Sequence, residues 1–267
     1  MIIYIIISLL LTALTIWSRL NRKSGVFVTA LILLVLLLDQ GLKIWVKTHM
    51  EYGDEIPLFG LDWAKLHFVE NPGMAFGLTF GGDYGKLALS LFRIFAVGFL
   101  VYFINRLIKL NLSMGLLASF ALILAGALGN IIDSAFYGMI FSASPNHGGL
   151  ASLFPAKGGY SGFLYGKVVD MFYFPMFRGH YPDWFPFSAG RPFLFFRPVF
   201  NIADAAISIG VVSIILFYRS FFGAIDDEAE VDQTEPEISN NSGEPKPESE
   251  GNKQENNSAT SPPTGSI

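Results

Sequence analysis

The sequence predicts an all-α polytopic membrane protein, a bundle of four transmembrane helices with room for one extra amino-terminal span. Three observations predict it: four long apolar runs, a charged fraction of only 15% with a mean hydropathy of +0.46, and basic residues gathered on one side of those runs. Ordinary soluble domains carry about 25% charged residues. Four buried helices of a soluble protein would need polar covering that this 267-residue composition does not supply.

The first run begins "VFVTALILLVLLL" at Val26 and continues to about Val46. The second spans roughly Leu87 to Ile104, broken only by Arg93; the third spans about Leu112 to Ile132, and the fourth about Phe200 to Phe217. Each approaches the roughly 20 residues that cross a hydrocarbon core, and none contains a proline that would kink it. Met1 to Trp17 is a fifth run, followed by Arg19, Arg22 and Lys23. A cleaved signal peptide puts its basic residues before the apolar stretch. Here they follow it, so an extra span or an upstream start codon fits better.

The formal net charge of −4 averages two unlike regions. From Asp226 to Ile267 eleven acidic residues stand against Lys246 and Lys253, a net of −9, which leaves +5 on the other 225 residues. Three parts follow: an amino-terminal apolar segment with a basic flank (1–25), a membrane domain (26–220) and a disordered acidic tail (221–267). Arg19, Arg22 and Lys23, then Arg106 and Lys109, then Arg219 mark three short segments on one side, which the positive-inside rule makes cytoplasmic. Segments 47–86 and 134–199 are then extracytoplasmic. Zero cysteines exclude a disulfide scaffold, a cysteine-based zinc site and a cysteine nucleophile. No strongly basic surface suggests nucleic acid as a partner, and no internal repeat is visible.

Both outer segments have character. Residues 51–80 mix aromatic and apolar runs ("WAKLHFVE", "MAFGLTF") with Gly and Pro, the pattern of short strands and turns. Residues 134–199 are rich in Phe, Tyr and Trp with interspersed Gly, Pro and Arg, which suits an interfacial aromatic-rich loop on the bilayer surface.

Polar residues converge at one level. Asp39 and Lys43 sit four apart near the outer end of the first run, acid before base. Asn130 and Asp133 close the third run three apart, and Asn201 and Asp204 open the fourth. Asn71 and Asp170 lie in the outer segments. With spans running out, in, out, in, all eight arrive at the extracytoplasmic rim, and a charge within a span marks function by default. Each has a plainer use as well. Asp39 and Lys43 can neutralise one another, Asn201 can cap its helix, Asp133 can brace the bundle, and Gly126 and Gly129 can let helices pack closely.

The chemistry narrows by elimination. His49, His67, His147 and His180 lack metal-site spacing, and no phosphate or dinucleotide loop is present. Aspartates remain, and two carboxylates sharing one proton activate water against an amide with no metal or other cofactor. The rival reading is a small transporter using Asp39, Lys43 and Asp204 as an ion or proton relay. Such transporters more often show spans interrupted at mid-membrane, whereas these acids sit at one rim of unbroken runs. A lipid-modifying transferase would show an acidic metal-binding cluster, which is absent.

Five pieces, in order and on one side of four spans, carry a family resemblance: "DQGLK" (Asp39–Lys43), "ENPGMAFG" (Glu70–Gly77), "GALGNIID" (Gly126–Asp133), "VVDMF" (Val168–Phe172) and "FNIADAAISIG" (Phe200–Gly210). Over roughly residues 26–218 the chain resembles the lipoprotein signal peptidases (signal peptidase II), integral-membrane aspartic endopeptidases of bacteria. The resemblance implies a four-helix bundle in the inner membrane with a small extracytoplasmic β-cradle and an interfacial helix. It implies a catalytic dyad at Asp170 and Asp204. Asn71, Ala75, Gly77, Gly126, Asn130, Asn201 and Ala203 fall on positions that support the site or hold substrate, with Asp39, Lys43 and Asp133 behind them. The implied substrate is a prolipoprotein already carrying diacylglycerol on its cysteine, cut on the amino side of that cysteine, with membrane lipid as the other partner.

Two departures stand out. The family pattern has Arg directly after the aspartate of the third piece, where this chain has Ser134. Either no replacement is needed, or Arg178, Arg191 or Arg197 is expected to supply it, since a guanidinium clamps carbonyl or phosphate oxygens better than lysine does. The intervals 134–169 and 171–203 are also longer than usual, which predicts an enlarged outer loop that could act as a lid.

Overall fold

The apolar runs become helices near their expected bounds. A computed structural model describes residues 22–72, 82–146, 148–186, 188, 190–195 and 198–219. Helix α1 is Arg22–His49, α2 is Gly82–Lys109, α3 is Met114–Ile132 and α4 is Ile202–Phe217. Three of them, α1, α2 and α3, are long and apolar enough to cross a membrane, while α4 is apolar but has 16 residues. The expected extra span at 1–17 and the acidic tail at 221–267 lie outside the described residues.

Ser113 caps α3 by accepting from the Leu116 N–H, which satisfies one of the amide donors left over at a helix start. At its other end α3 does not stop at Asp133. It widens into a π-helical turn, Asp133–Tyr137, and returns to α-helix over Gly138–Ile140. Small residues set how closely α3 and α4 approach. A Cβ at Gly126 would collide with the Ala203 carbonyl, and one at Gly129 would lie 2.6 Å from an Asp39 carboxylate oxygen. These two glycines therefore serve close packing, as the sequence suggested. Apolar side chains of all four helices, among them Val28, Leu36, Ile104, Leu117, Leu124 and Ile214, form one core.

Beyond the helix ends lies a four-stranded antiparallel sheet in the order β1–β2–β3–β6, formed by Glu55–Pro57, Lys65–Asn71, Val168–Tyr173 and Val199–Phe200. Strand β2 alternates half-buried and buried residues, placing Leu66, Phe68 and Glu70 inward. Val69 pairs with Asp170 beside an irregularity in register, a feature common next to active sites. A separate hairpin, β4 (Phe177–His180) with β5 (Pro192–Phe195), carries exposed Trp184 between its strands.

The segment expected on the bilayer surface is therefore only partly of that kind. Val168 to Met171 are buried in the middle of the sheet. The enlarged stretch before them folds back on itself: the Tyr160 backbone N–H donates to the Phe141 carbonyl at 3.1 Å, and the Tyr160 hydroxyl accepts from the Lys167 N–H at 2.7 Å.

Candidate active site

Asp170 reaches the site from the centre of β3, and Asp204 from the first turn of α4. Local chemistry fixes the second. Asn201 accepts from the Asp204 N–H at 2.9 Å while the Asp204 carboxylate accepts from the Asn201 N–H at 3.4 Å, a reciprocal helix cap. The same Asn201 amide donates to Asp170 Oδ1 at 2.7 Å, with the Val169 carbonyl at 3.3 Å and Asn130 Oδ1 at 3.2 Å. Asn130, at the end of α3, completes the path by donating to Asp204 Oδ1 at 2.8 Å. The two carboxylates are thus linked through two asparagines, Asp170–Asn201–Asn130–Asp204.

Their environments differ. Asp170 is buried and Asp204 is half-buried. Burial, reinforced by the charge of Asp204, pushes the Asp170 carboxyl up to about 7, against the opposing pull of Lys43 and hydrogen bonds from Asn201 and Asn71. Paired acids in unlike surroundings divide the acid and base roles between them.

Beneath them is an ionic brace. Lys43 Nζ lies 2.9 Å from Asp39 Oδ2, 2.9 Å from Asp133 Oδ2 and 3.0 Å from Asn130 Oδ1, so its three donors have three partners. All three charges are essentially inaccessible, which is tolerable only when the remaining lone pairs are satisfied. They are. Asp39 accepts from the Ala203 N–H at 2.9 Å, and Asp133 from the Val169 N–H at 3.2 Å and Gln40 at 2.8 Å. The brace ties α1 to α3, β3 and the start of α4, the elements that carry the two acids and the asparagines between them.

Of the residues expected here, the structure brings together Asp39, Lys43, Asn71, Gly126, Asn130, Asp133, Asp170, Asn201, Ala203 and Asp204. Ala75 and Gly77 lie outside the described residues. Three features were missed. Gln40 bonds Asp133, Asp39 and the Gly129 carbonyl, and its own oxygen accepts from Tyr137 at 3.2 Å; its place beside Asp39 was the available signal. Lys47 is buried against Glu70 and Ser144, with Phe68, Phe141 and Tyr160 around its ammonium. Burial alone would raise Glu70, but Lys47, Ser144 and Lys167 outweigh it and hold the carboxyl below its ordinary range. The third is Arg93, whose Nη1 donates to Ser134 Oγ at 3.3 Å. Of the expected replacements, Arg191 is exposed, Arg197 lies outside the described residues, and Arg178 is placed only by its backbone, opposite Leu194 in the β4–β5 hairpin.

Comparison with known proteins identifies the family. The family model described as signal peptidase (SPase) II matches residues 31–222. A lipoprotein signal peptidase of Porphyromonas gingivalis is 51% identical over 202 residues, covering 75% of this chain and 85% of that one. Another, of Amoebophilus asiaticus, is 42% identical over 191 residues, covering 70% and 75%. A solved bacterial membrane enzyme, determined by the in meso method at 1.9 Å resolution, aligns at 25% identity with a TM-score of 0.47 over 72% of this chain and 92% of that one. The chain is an integral-membrane peptidase rather than a relay transporter. It belongs to the signal peptidase II family, the lipoprotein signal peptidases, and signal-peptide cleavage is its activity.

Proposed function

We propose that Asp170 and Asp204 are the catalytic dyad of this aspartic peptidase, sharing one proton. The observation that carries the reading is that two hydrogen-bonded asparagines, Asn201 and Asn130, hold both carboxylates at one site, each acid accepting from one amide. Asp170, the buried member, holds the proton and donates it to the scissile carbonyl oxygen. Asp204, the more accessible one, takes a proton from the attacking water. Collapse of the tetrahedral intermediate breaks the C–N bond: the proton on Asp204 passes to the leaving amine, and a gem-diol hydroxyl returns its proton to Asp170 as the carbonyl re-forms. Asn71, Asn130, Asn201 and Ala203 line the site and help hold the substrate backbone or the dyad, and Ala75 and Gly77 belong to the same supporting set. Asp39, Lys43, Asp133 and Gly126 keep these elements in place.

The substrate is a prolipoprotein whose cysteine already carries diacylglycerol, cut on that cysteine's amino side in contact with membrane lipid. The protein spans the bacterial inner membrane four times with the site at the extracytoplasmic face. The basic residues at Arg19–Lys23, Arg106–Lys109 and Arg219 support that orientation. The test is to incubate the purified protein with a diacylglyceryl-modified prolipoprotein. A shortened product from the wild type and none from Asp170→Asn is expected; equal product from both would overturn the dyad. Labelling of single cysteines tests the topology: a cysteine placed at Asn252 that reacts from outside would overturn it.

A further inference from the structure

Arg93 is an arginine in the middle of an apolar helix, on α2, where an unused charge is costly. Its guanidinium reaches Ser134, the residue standing where the family pattern has arginine. Ser134 is itself buried and fixed, its hydroxyl donating to the Asn130 carbonyl at 3.0 Å. From Arg93 the hydrogen bonds lead through Ser134 to Asn130, whose side chain donates to Asp204 at 2.8 Å. The other cation of the site, Lys43, has spent its three donors on Asp39, Asp133 and Asn130. A guanidinium has five donors, and among the described residues Arg93 uses one of them, on Ser134.

We propose that Arg93 is a substrate-binding residue: delivered from α2 to Ser134, its guanidinium donates to a peptide carbonyl oxygen of the prolipoprotein beside the scissile bond. It restores from a different helix the cation that Ser134 removes. This rests on Asp170 and Asp204 being the dyad. The chemistry fits the position, since a planar fork of donors holds a carbonyl while leaving part of its charge on the neighbouring acids.

The test uses the full-length protein in detergent with a diacylglyceryl-modified prolipopeptide, scoring KM and kcat separately. Arg93→Gln should raise KM and lower kcat/KM by roughly 10- to 100-fold, the scale of losing a hydrogen bond to a charged group. Arg93→Lys should fall between the two. Placing arginine at 134 in the Arg93→Gln background should recover a substantial part of the loss, which a merely structural role for Arg93 in α2 would not allow. Unchanged KM in Arg93→Gln overturns the proposal, as does equal loss in Arg93→Lys and Arg93→Gln with no recovery by Ser134→Arg. A KM penalty that disappears when the lipid esters are replaced by ethers assigns the contact to the acyl ester and overturns the peptide assignment. Asp170→Asn and Asp204→Asn, assayed alongside, keep the two readings apart. Their turnover reports on the dyad, whereas KM in the Arg93 series reports on this contact.

Discussion

Asn201 and Asp204 cap one another, side chain to backbone in both directions, at 2.9 and 3.4 Å. The start of α4 and the proposed active site are therefore one set of hydrogen bonds. Replacing Asn201 separates the two roles. Asn201→Ala should lose the cap, about 1 kcal/mol, and most of the turnover. Asn201→Ser can still cap but is too short to reach Asp170 and Asn130. It should keep nearly wild-type thermal stability and lose activity about as far as alanine. Equal activity in Asn201→Ser and wild type would remove the asparagine path from the mechanism.

Asp170→Asn and Asp204→Asn should each lower turnover by several orders of magnitude, roughly the combined loss of an acid–base group and part of the electrostatic stabilisation, with unchanged membrane abundance. Asp133→Asn should cost less activity, because Asp133 faces Lys43, Gln40 and the Val169 N–H rather than the path between the acids. A larger loss at Asp133 than at Asp170 would move the dyad to Asp133 and Asp204.

The pH response follows from Asp170, which titrates at about 7 rather than at its ordinary 3.8. Burial is the main cause, the charge of Asp204 adds to it, and Lys43, Asn201 and Asn71 oppose it. A raised carboxyl contributes stability in full below 3.8 and loses that contribution as pH climbs through about 7. Activity should show an alkaline limb near 7 as the shared proton leaves the pair. Thermal melting across that range should flatten in Asp170→Asn. A slope identical to wild type would show that Asp170 is not the titrating group.

Lys47→Met should destabilise the fold by about 3 kcal/mol, the lower end for breaking a buried pair, because Glu70 keeps Ser144 and Lys167 as partners. Adding Glu70→Gln should recover most of it. Melting temperatures in detergent decide this, and a double variant as unstable as Lys47→Met would refute it.

Truncation after Ser220 should leave cleavage intact. Its argument is composition alone: a net charge of −9 from Asp226 onward and few apolar residues cannot build a core. Loss of turnover at unchanged abundance would give the tail a role.

Helices were legible in the sequence because apolar length is a strong signal, and the acids because charge at a membrane rim is costly. Asp39 and Lys43 also declared their pairing by their spacing. What stayed hidden depends on distant chain segments meeting. Lys47 and Glu70 are twenty-three residues apart, and β2 pairs with β3 about a hundred residues later. Nothing local marks either contact. Arg93 was visible as the break in an apolar run, but its target lies forty-one residues away on another helix. The expectation of an arginine from the outer loop, or of no replacement at all, followed compartment, whereas the approach of Arg93 to Ser134 depends on how two helices pack.

Strand β6 ends at Phe200, pairs with Phe172 of β3, and runs straight into Asn201. Asp170 lies two residues before Phe172 and Asp204 four residues after Phe200, so both acids hang from one short seam of the sheet. Breaking the pairing of Phe172 with Phe200 would therefore loosen the footing of both proposed catalytic acids at once.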